Sequence, residues 1–274
     1  MLSMTSDYAT SVGCPEPYLR RIRQAGFSHV HWCHQWNTDF VYVDCEVRQI
    51  AAWLRDFGLR LNDLHASHGR EKDWGSAAEY ERLAGVELIR NRIEMTARLG
   101  ADVVILHLPA EVGEHDQAGE EAWSRLRRSL DALEPYSRAQ HVRIAIENGD
   151  FEAIERVLAA YDPEFLGLCY DSGHGNMVAD GLDRLESLKH RLISIHLHDN
   201  DGLSDQHKLP FTGTVDWPRL ARILAGSSYT KCVSLETTMG KTGIDDEDTF
   251  LARAFEAGTR LADMIEEHRR ATSR

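Results

Sequence analysis

Short apolar runs alternate with longer amphipathic segments along nearly the whole chain. Eight of these runs have the length and the β-branched content that are typical of buried strands. They cover residues 2–6, 28–33, 60–66, 102–108, 142–148, 165–171, 192–199 and 231–238. Because eight strand–helix alternations fit a closed parallel barrel better than an open sheet, we predict a single (β/α)8 TIM barrel of the α/β class over residues 1–274.

The segments between the runs repeat apolar residues at helical spacing. The clearest of them are residues 17–27, 45–58, 77–100 and 120–140, and a last helix is predicted at 247–268. Gly26, Gly58 and Gly100 each close such a segment just before a strand. Glycine is the preferred residue at the carboxyl end of a helix, so these three positions support the same boundaries.

Six consecutive runs, from the third to the eighth, end in a side chain that can bind a metal or transfer a proton. These side chains are His65, His107, Glu147, Asp171, His196 and Glu236, and His174 follows three residues after Asp171. The carboxyl ends of parallel strands converge on one mouth of a barrel, so we expect the six to lie together. One such residue alone is more often structural, for example a helix cap. Several carboxylates buried together are costly without a cation, so the sequence predicts a divalent-metal centre.

The ligand types limit the choice of metal. Imidazole and carboxylate without thiolate suit Zn, Mn, Co or Fe and, less well, Mg, and we expect Mn or Zn first. Glu147 and Glu236, at the ends of the fifth and eighth strands, would lie opposite each other across a bound substrate. They could therefore serve both as metal ligands and as acid and base groups.

The composition excludes several classes of protein. The net charge of −13 argues against a general nucleic-acid-binding protein, which needs a basic surface. The five cysteines form no CxxC pair, so neither a thiolate zinc site nor a disulfide framework is expected, and a reducing cytoplasm is the natural compartment. The chain starts without a signal-peptide pattern and has no apolar run of the roughly 20 residues that span a membrane.

Four motifs resemble the xylose-isomerase-like TIM-barrel superfamily, which includes sugar and sugar-phosphate isomerases and epimerases as well as endonuclease IV. The motifs are IEN at 146–148, DSGH at 171–174, HLHDND at 196–201 and DQHKLPFTGTVDW at 205–217. As a linked set they are specific for the superfamily and much less specific for a substrate.

The epimerase branch of this superfamily implies one divalent metal, often Mn, held by Glu147, Asp171, His196 and Glu236. The metal would bind the carbonyl and the neighbouring hydroxyl oxygens of a ketose or similar polyol, acidify the adjacent C–H bond and stabilise the enediolate. Glu147 and Glu236 would remove and return the proton from opposite faces, and His174 would hold a substrate oxygen. The resemblance thus implies an isomerase or epimerase of a monosaccharide, an inositol or a related polyol, and leaves a lyase or dehydratase open.

The endonuclease IV branch implies a different centre, with three zinc ions and nine ligands. Counterparts of the nine are present here as His65, His107, Glu147, Asp171, His174, His196, Asp205, His207 and Glu236. Asp205 and His207 form either a second metal position or a polar loop over the mouth, and His68 is an alternative to His65. These nine counterparts make a multinuclear zinc phosphoesterase the alternative hypothesis. The acidic charge of the chain opposes DNA as its substrate. A sugar-binding barrel without catalysis is the third hypothesis.

A group of aromatic and histidine residues follows the second strand, in HWCHQW at 31–36. Trp32, Trp36 and Trp74 could form a rim that stacks on a sugar ring, or could pack between the helices and the barrel. His31 and His34 could also face the site. We predict substrate contacts from His34, Trp36, His65, His107, His174 and His198.

Other residues near the predicted mouth have simpler roles. Asp199 could orient a liganding histidine, and Trp217 is expected to pack under the loop that precedes it. No phosphate-binding loop is evident, which leaves a phosphorylated substrate open. The expected partner is a small sugar or polyol, and a homo-oligomer is possible because members of the superfamily often form one.

Overall fold

The computed structural model describes residues 1–272, and its central feature is one sheet of eight parallel strands. The strands are β1 (Leu2–Thr5), β2 (His29–Trp32), β3 (Arg60–His65), β4 (Val103–Leu106), β5 (Arg143–Glu147), β6 (Leu166–Asp171), β7 (Leu192–His196) and β8 (Val233–Leu235). Each strand from β1 to β6 pairs with the next one along the chain, and β1 also pairs with β8. Every run that the sequence predicted to be a strand contains one.

A short bridge between β7 and β8 closes the ring. The N–H of Leu197 donates to the carbonyl of Ser234 at 2.9 Å, and the N–H of Glu236 donates to the carbonyl of Leu197 at 3.1 Å. The predicted (β/α)8 barrel is therefore confirmed, and the pairing of β7 with β8 is shorter than the other strand pairings. This pairing lies beside His196 and Glu236 and brings their side chains together.

Helices surround the sheet and connect its strands. They are α1 (Glu16–Gln24), α2 (Asp44–Phe57), α3 (Glu79–Arg98), α4 (Gln117–Gln140), α5 (Phe151–Ala160), α6 (Ser172–Asn176), α7 (Gly181–Leu188), α8 (Trp217–Ala225) and α9 (Glu247–Thr272). The four helical segments singled out in the sequence correspond to α1–α4, and α9 ends at residue 272 rather than 268. Within the described residues, none of these helices is both long enough and apolar enough to cross a membrane.

Three glycines end helices where the sequence predicted it. The φ angles of Gly26, Gly58 and Gly100 are +107°, +68° and +81°. Residues with a side chain rarely adopt such angles, which explains the glycine at each of these turns. Each turn lets the chain reverse from the outer helical layer into the next strand.

An apolar layer fills the barrel below the mouth. It consists of Val103, Ile105, Ala145, Cys169 and Ile193. Side chains two residues apart in a strand point to the same face, so the residues that follow Ile105, Ala145 and Cys169 by two positions point inwards too. Those residues are His107, Glu147 and Asp171. The strand period therefore delivers them to the mouth.

Candidate metal centre

The barrel mouth gathers the side chains that the sequence placed at strand ends. Four of them are the last residues of their strands, namely His65, Glu147, Asp171 and His196. Two others directly follow β4 and β8, namely His107 and Glu236. All except the partly exposed His107 are buried.

The centre of the mouth is a group of three carboxylates around one histidine. His196 Nδ1 lies 2.9 Å from Glu147 Oε1 and 3.2 Å from Glu236 Oε2. One ligand atom from each of Glu147, Asp171, His196 and Glu236 lies within 4.8 Å of the others. These four residues are the set that the epimerase branch implied, and the two glutamates approach the same ring nitrogen.

A second group shares Glu147 with the first. The Nε2 atoms of His65 and His107 are 3.1 Å apart and lie 3.3 Å and 3.4 Å from Glu147 Oε2. His65 Nδ1 donates to the carbonyl of Ala66 at 2.9 Å. A carbonyl can only accept, so the proton of a neutral His65 is on Nδ1 and the lone pair of Nε2 faces Glu147.

A third group joins two residues of the loop after β7, Asp205 and His207, to His174 on α6. Asp205 Oδ2 is 3.0 Å from His207 Nε2 and 3.5 Å from His174 Nε2. His207 Nδ1 donates to the carbonyl of Glu236 at 2.7 Å, and His174 Nδ1 donates to the carbonyl of Asn148 at 2.9 Å. Both rings therefore turn Nε2 towards the same carboxylate.

His198 joins this third group. Its ring stacks on His207 with a centroid distance of 4.1 Å, and its Nε2 lies 3.0 Å from Asp171 Oδ2 and 3.5 Å from Asp205 Oδ1. The sequence predicted only a substrate contact for this residue, but the structure places it among groups that could hold an ion. Gly173 makes room for the ring, because a Cβ there would lie 2.0 Å from His198 Cε1.

The donor set fits a divalent cation. Several of its buried polar atoms have no hydrogen-bond partner among the described residues, including Glu147 Oε2, Asp171 Oδ2 and His196 Nε2. Unpaired acceptors buried side by side are unfavourable unless a cation lies between them. Ligands at 2.0–2.2 Å from a tetrahedral zinc lie about 3.3–3.6 Å from one another, and most of the separations above are close to this range.

The carboxylates and histidines of the mouth shift one another's pKa values. Burial opposes the ionisation of Glu147 and Glu236, but His196 and other neighbouring histidines outweigh it and hold the pKa of both carboxylates well below the usual range. Burial alone would lower the pKa of His174 and His207, yet their acidic neighbours raise it to about 11 and about 10 in the metal-free chain. Burial lowers the pKa of His107 to about 4.

The aromatic residues divide between the mouth and the core. The Trp36 ring lies 5.3 Å from the His65 ring and 6.4 Å from the His107 ring, between centroids, so it borders the mouth. Trp32 and Trp74 are buried. The idea that these two form an exposed rim is wrong, because Trp32, at the end of β2, and Trp74, on the segment after β3, both turn into the core.

His34 and His68 lie apart from the histidine groups. His34 Nε2 donates to the carbonyl of Gly13 at 2.8 Å, and its ring lies against Trp32. His68 is exposed, whereas His65 is in the second group. The preference for His65 over His68 at the end of β3 is therefore consistent with the structure, and the substrate contact of His34 stays a prediction.

Asp199 has a different role from the one the sequence suggested. Its Oδ2 accepts from Trp217 Nε1 at 2.8 Å, and its Oδ1 accepts from the N–H of Val215 at 3.1 Å. It therefore organises the loop after β7 instead of orienting a histidine. Trp217 packs under this loop as predicted.

Sequence reasoning named His31 but missed its buried partner beside the centre, Asp63. His31 Nδ1 donates to Asp63 Oδ1 at 2.7 Å, and His31 Nε2 lies 3.4 Å from Glu236 Oε1. Burial and His196 act to lower the pKa of His31, but Asp63 and Glu236 outweigh them and raise it. A signal for Asp63 was present, since it precedes His65 by two positions and so shares its inward face.

Comparisons with known proteins identify the family of the chain. The sequence pattern of the family described as "Xylose isomerase-like TIM barrel" matches residues 19–264. A Sinorhizobium fredii protein called "Uncharacterized protein y4fM" is 31% identical over 275 residues, which cover 90% of this chain and 88% of that protein. A "Probable endonuclease 4" of Geobacillus sp. is 30% identical over 173 residues, which cover 55% of this chain and 54% of that protein.

Solved structures share the architecture. A D-tagatose 3-epimerase-like protein has a TM-score of 0.77 over 97% of this chain and 98% of that chain, at 17% identity, and this likeness shows the fold. The family match covers most of the chain, and the eight-stranded barrel agrees with it. The chain therefore belongs to the xylose isomerase-like TIM-barrel family.

Proposed function

We propose that the protein is a divalent-metal-dependent isomerase or epimerase of a monosaccharide or a related polyol. The observation that carries the proposal is the group of Glu147, Asp171, His196 and Glu236, in which two carboxylates approach one imidazole at the barrel mouth. Active sites of TIM barrels lie at this end of the strands.

The residues of this group would hold the cation and move the proton. A divalent cation there would act as a Lewis acid and stabilise the negative charge that develops when a proton leaves the carbon next to a carbonyl. Glu147 and Glu236 would exchange that proton, one as base and the other as acid. His174, at the edge of the mouth, would donate a hydrogen bond to a substrate oxygen, and Trp36 would cover an apolar face of the sugar.

The comparisons support keto sugars as the first substrates to test. The structural neighbour is named as a D-tagatose 3-epimerase-like protein, and the family of this chain is described as xylose isomerase-like. Both names refer to chemistry on a carbon next to a carbonyl. The metal, the sugar and the reacting carbon of this protein are part of the proposal.

Proton exchange with solvent provides the test. The metal-loaded protein is incubated in D₂O with a panel of ketoses, and deuterium incorporation next to the carbonyl is followed by NMR and mass spectrometry. We expect incorporation by the wild type, and a loss of at least about 100-fold in Glu147→Gln and in Glu236→Gln, since a positioned acid or base contributes about 10²–10⁴-fold. Glu152→Gln, an exposed acidic position on α5, is the control. If both site variants retain full exchange, the proposal fails.

A specific observation favours a second candidate, a multinuclear zinc phosphoesterase. All nine residues implied by the endonuclease IV branch occur in the three groups at the mouth, including the pair of His65 and His107. A Geobacillus relative is named as a probable endonuclease 4. The test is cleavage of DNA containing an abasic site, with Zn²⁺ and with chelator. The absence of any chelator-sensitive cleavage would exclude the endonuclease version, which the net charge of −13 also disfavours.

A further inference from the structure

A buried histidine lies behind the centre, on the side of β2. His31 is fully buried, and its ring centroid is 4.3 Å from that of His196. Its Nδ1 donates to Asp63 Oδ1 at 2.7 Å, and its Nε2 lies 3.4 Å from Glu236 Oε1. The ring therefore lies between two carboxylates. It is hydrogen-bonded to Asp63 inside the barrel, and it contacts Glu236, which belongs to the four-residue group of Glu147, Asp171, His196 and Glu236.

Asp63 is held in place from three directions. Besides His31, it accepts hydrogen bonds from Asn62 Nδ2 at 2.9 Å and from the hydroxyl of Ser194. Its side chain is fully buried, and it belongs to β3, two residues before His65. A carboxylate with three donors has one orientation, so it fixes the orientation of the His31 ring as well.

The two oxygens of Glu236 have different surroundings. Oε1 faces His31 and accepts from Cys33 Sγ at 3.5 Å, both on the β2 side. Oε2 faces His196 Nδ1 at 3.2 Å, inside the four-residue group. When one oxygen of a carboxylate is anchored, the other is directed towards its ligand without a further loss of side-chain entropy.

We propose that His31 and Asp63 are positioning residues that anchor Glu236 Oε1 and so direct Glu236 Oε2 to the metal. The inference rests on the metal centre of the proposed function, and deepens it by assigning a role to a pair of residues that the four-residue group does not contain. Outer partners of this kind change metal affinity by about 10- to 100-fold when they are removed.

Two conservative variants of His31 separate anchoring from simple packing. In His31→Gln the amide nitrogen can reach the position of Nε2 and donate to Glu236. In His31→Asn the shorter side chain can still donate to Asp63 but does not reach Glu236. Anchoring therefore predicts weaker metal binding in His31→Asn and a recovery in His31→Gln. A loss of packing alone predicts a lower stability of the shorter His31→Asn with an unchanged affinity for metal.

The experiment measures Co²⁺ binding to metal-free protein by calorimetry and by visible absorption, without any substrate. We expect the dissociation constant to rise about 10- to 100-fold in His31→Asn, to recover most of that loss in His31→Gln, and to rise in Asp63→Asn. Ser3→Ala removes another buried hydroxyl, on β1, and is the matched control with unchanged affinity. Circular dichroism of the metal-free variants checks the fold, and if His31→Asn does not fold, Asp63→Asn against Ser3→Ala gives the answer.

Three outcomes would overturn the inference. Tight Co²⁺ binding by the wild type with no change in His31→Asn and Asp63→Asn would exclude positioning while leaving the proposed function intact. A thiolate-to-cobalt absorption band that disappears in Cys33→Ser would show that His31, Cys33 and Glu236, which lie within 4.8 Å of one another, bind an ion themselves. Failure of the wild type to bind Co²⁺, Mn²⁺ or Zn²⁺ would remove the proposed function together with the inference.

Discussion

Backbone carbonyls orient the histidines at the mouth. His65, His174 and His207 each donate Nδ1–H to a carbonyl, and each then turns Nε2 towards a carboxylate. These contacts select the tautomer whose Nε2 lone pair can bind a cation. Two of these rings, His174 and His207, lie beside carboxylates that raise their pKa values, so metal and protons compete for the Nε2 atoms of these two rings.

Proton release on metal binding follows from this competition. The pKa values of about 11 for His174 and about 10 for His207 mean that both are protonated at pH 7 in the metal-free chain. A ligand must lose its proton, so binding of an ion at the third group should release protons at pH 7, and the affinity should rise as the pH increases towards 10. Calorimetry in buffers with different ionisation enthalpies measures this. Binding at the third group without proton release would contradict the assignment of His174 and His207 as ligands.

Gly173 should tolerate no side chain. A Cβ at this position would lie 2.0 Å from His198 Cε1 in a fully buried environment, so Gly173→Ala should displace the ring and destabilise the protein by about 1–3 kcal/mol. Gly149→Ala is the matched control, because a Cβ at Gly149 meets nothing within 4 Å. Urea unfolding of both variants gives the two free energies, and equal stability would show that the His198 ring adapts.

At the scale of elements, the loop after β7 controls the third group. Residues 200–216 carry Asp205 and His207, and the backbone of Asp199 pairs with that of Lys208 in both directions at 2.9 Å. The Asp199 side chain adds the hydrogen bonds to Val215 and Trp217 described above. The strand ends position the first two groups, while this loop positions Asp205 and His207 of the third group. A mutation in the loop can therefore affect the third group separately.

Asp199→Ala should therefore affect one group more than the others. Loss of its buried hydrogen bonds leaves Trp217 Nε1 and the N–H of Val215 unpaired, which costs about 1–3 kcal/mol for each buried group. We expect weaker metal binding at Asp205 and His207, with Glu147, Asp171, His196 and Glu236 still able to bind one ion. Metal titration compares this variant with Ser204→Ala, an exposed residue of the same loop. Equal loss of all metal in Asp199→Ala would show that the groups are not independent.

At the scale of the whole molecule, the barrel explains how much the sequence could predict. Strands alternate with helices along the chain, and every second side chain of a strand points into the barrel. These two patterns were enough to place Glu147, Asp171 and His196 at one mouth. Side chains on loops have no such period, so the sequence could not show that Trp74 turns into the core. Asp63 follows the same period, since it lies two residues before His65, but the sequence could not show its contacts with His31 and Ser194.

The sequence also could not separate the two candidate activities. The epimerase branch and the endonuclease branch share Glu147, Asp171, His196 and Glu236, and the structure brings the additional residues of the second branch to the same mouth. One ion in the first group would support isomerase or epimerase chemistry, and ions in all three groups would support phosphoester hydrolysis. The number of metal ions per chain is therefore the property on which both candidates depend.

Metal content tests the central claim most directly. Protein purified without chelator or added metal is analysed for all divalent metals, beside Asp171→Asn and Glu236→Gln prepared in the same way. We predict at least one divalent ion per wild-type chain and a marked loss in both variants; one Mn or Co would favour the isomerase or epimerase, and two or three Zn would favour the phosphoesterase. A wild-type protein that carries no divalent metal, and takes up none when Mn²⁺, Zn²⁺ or Co²⁺ is supplied, would contradict the account.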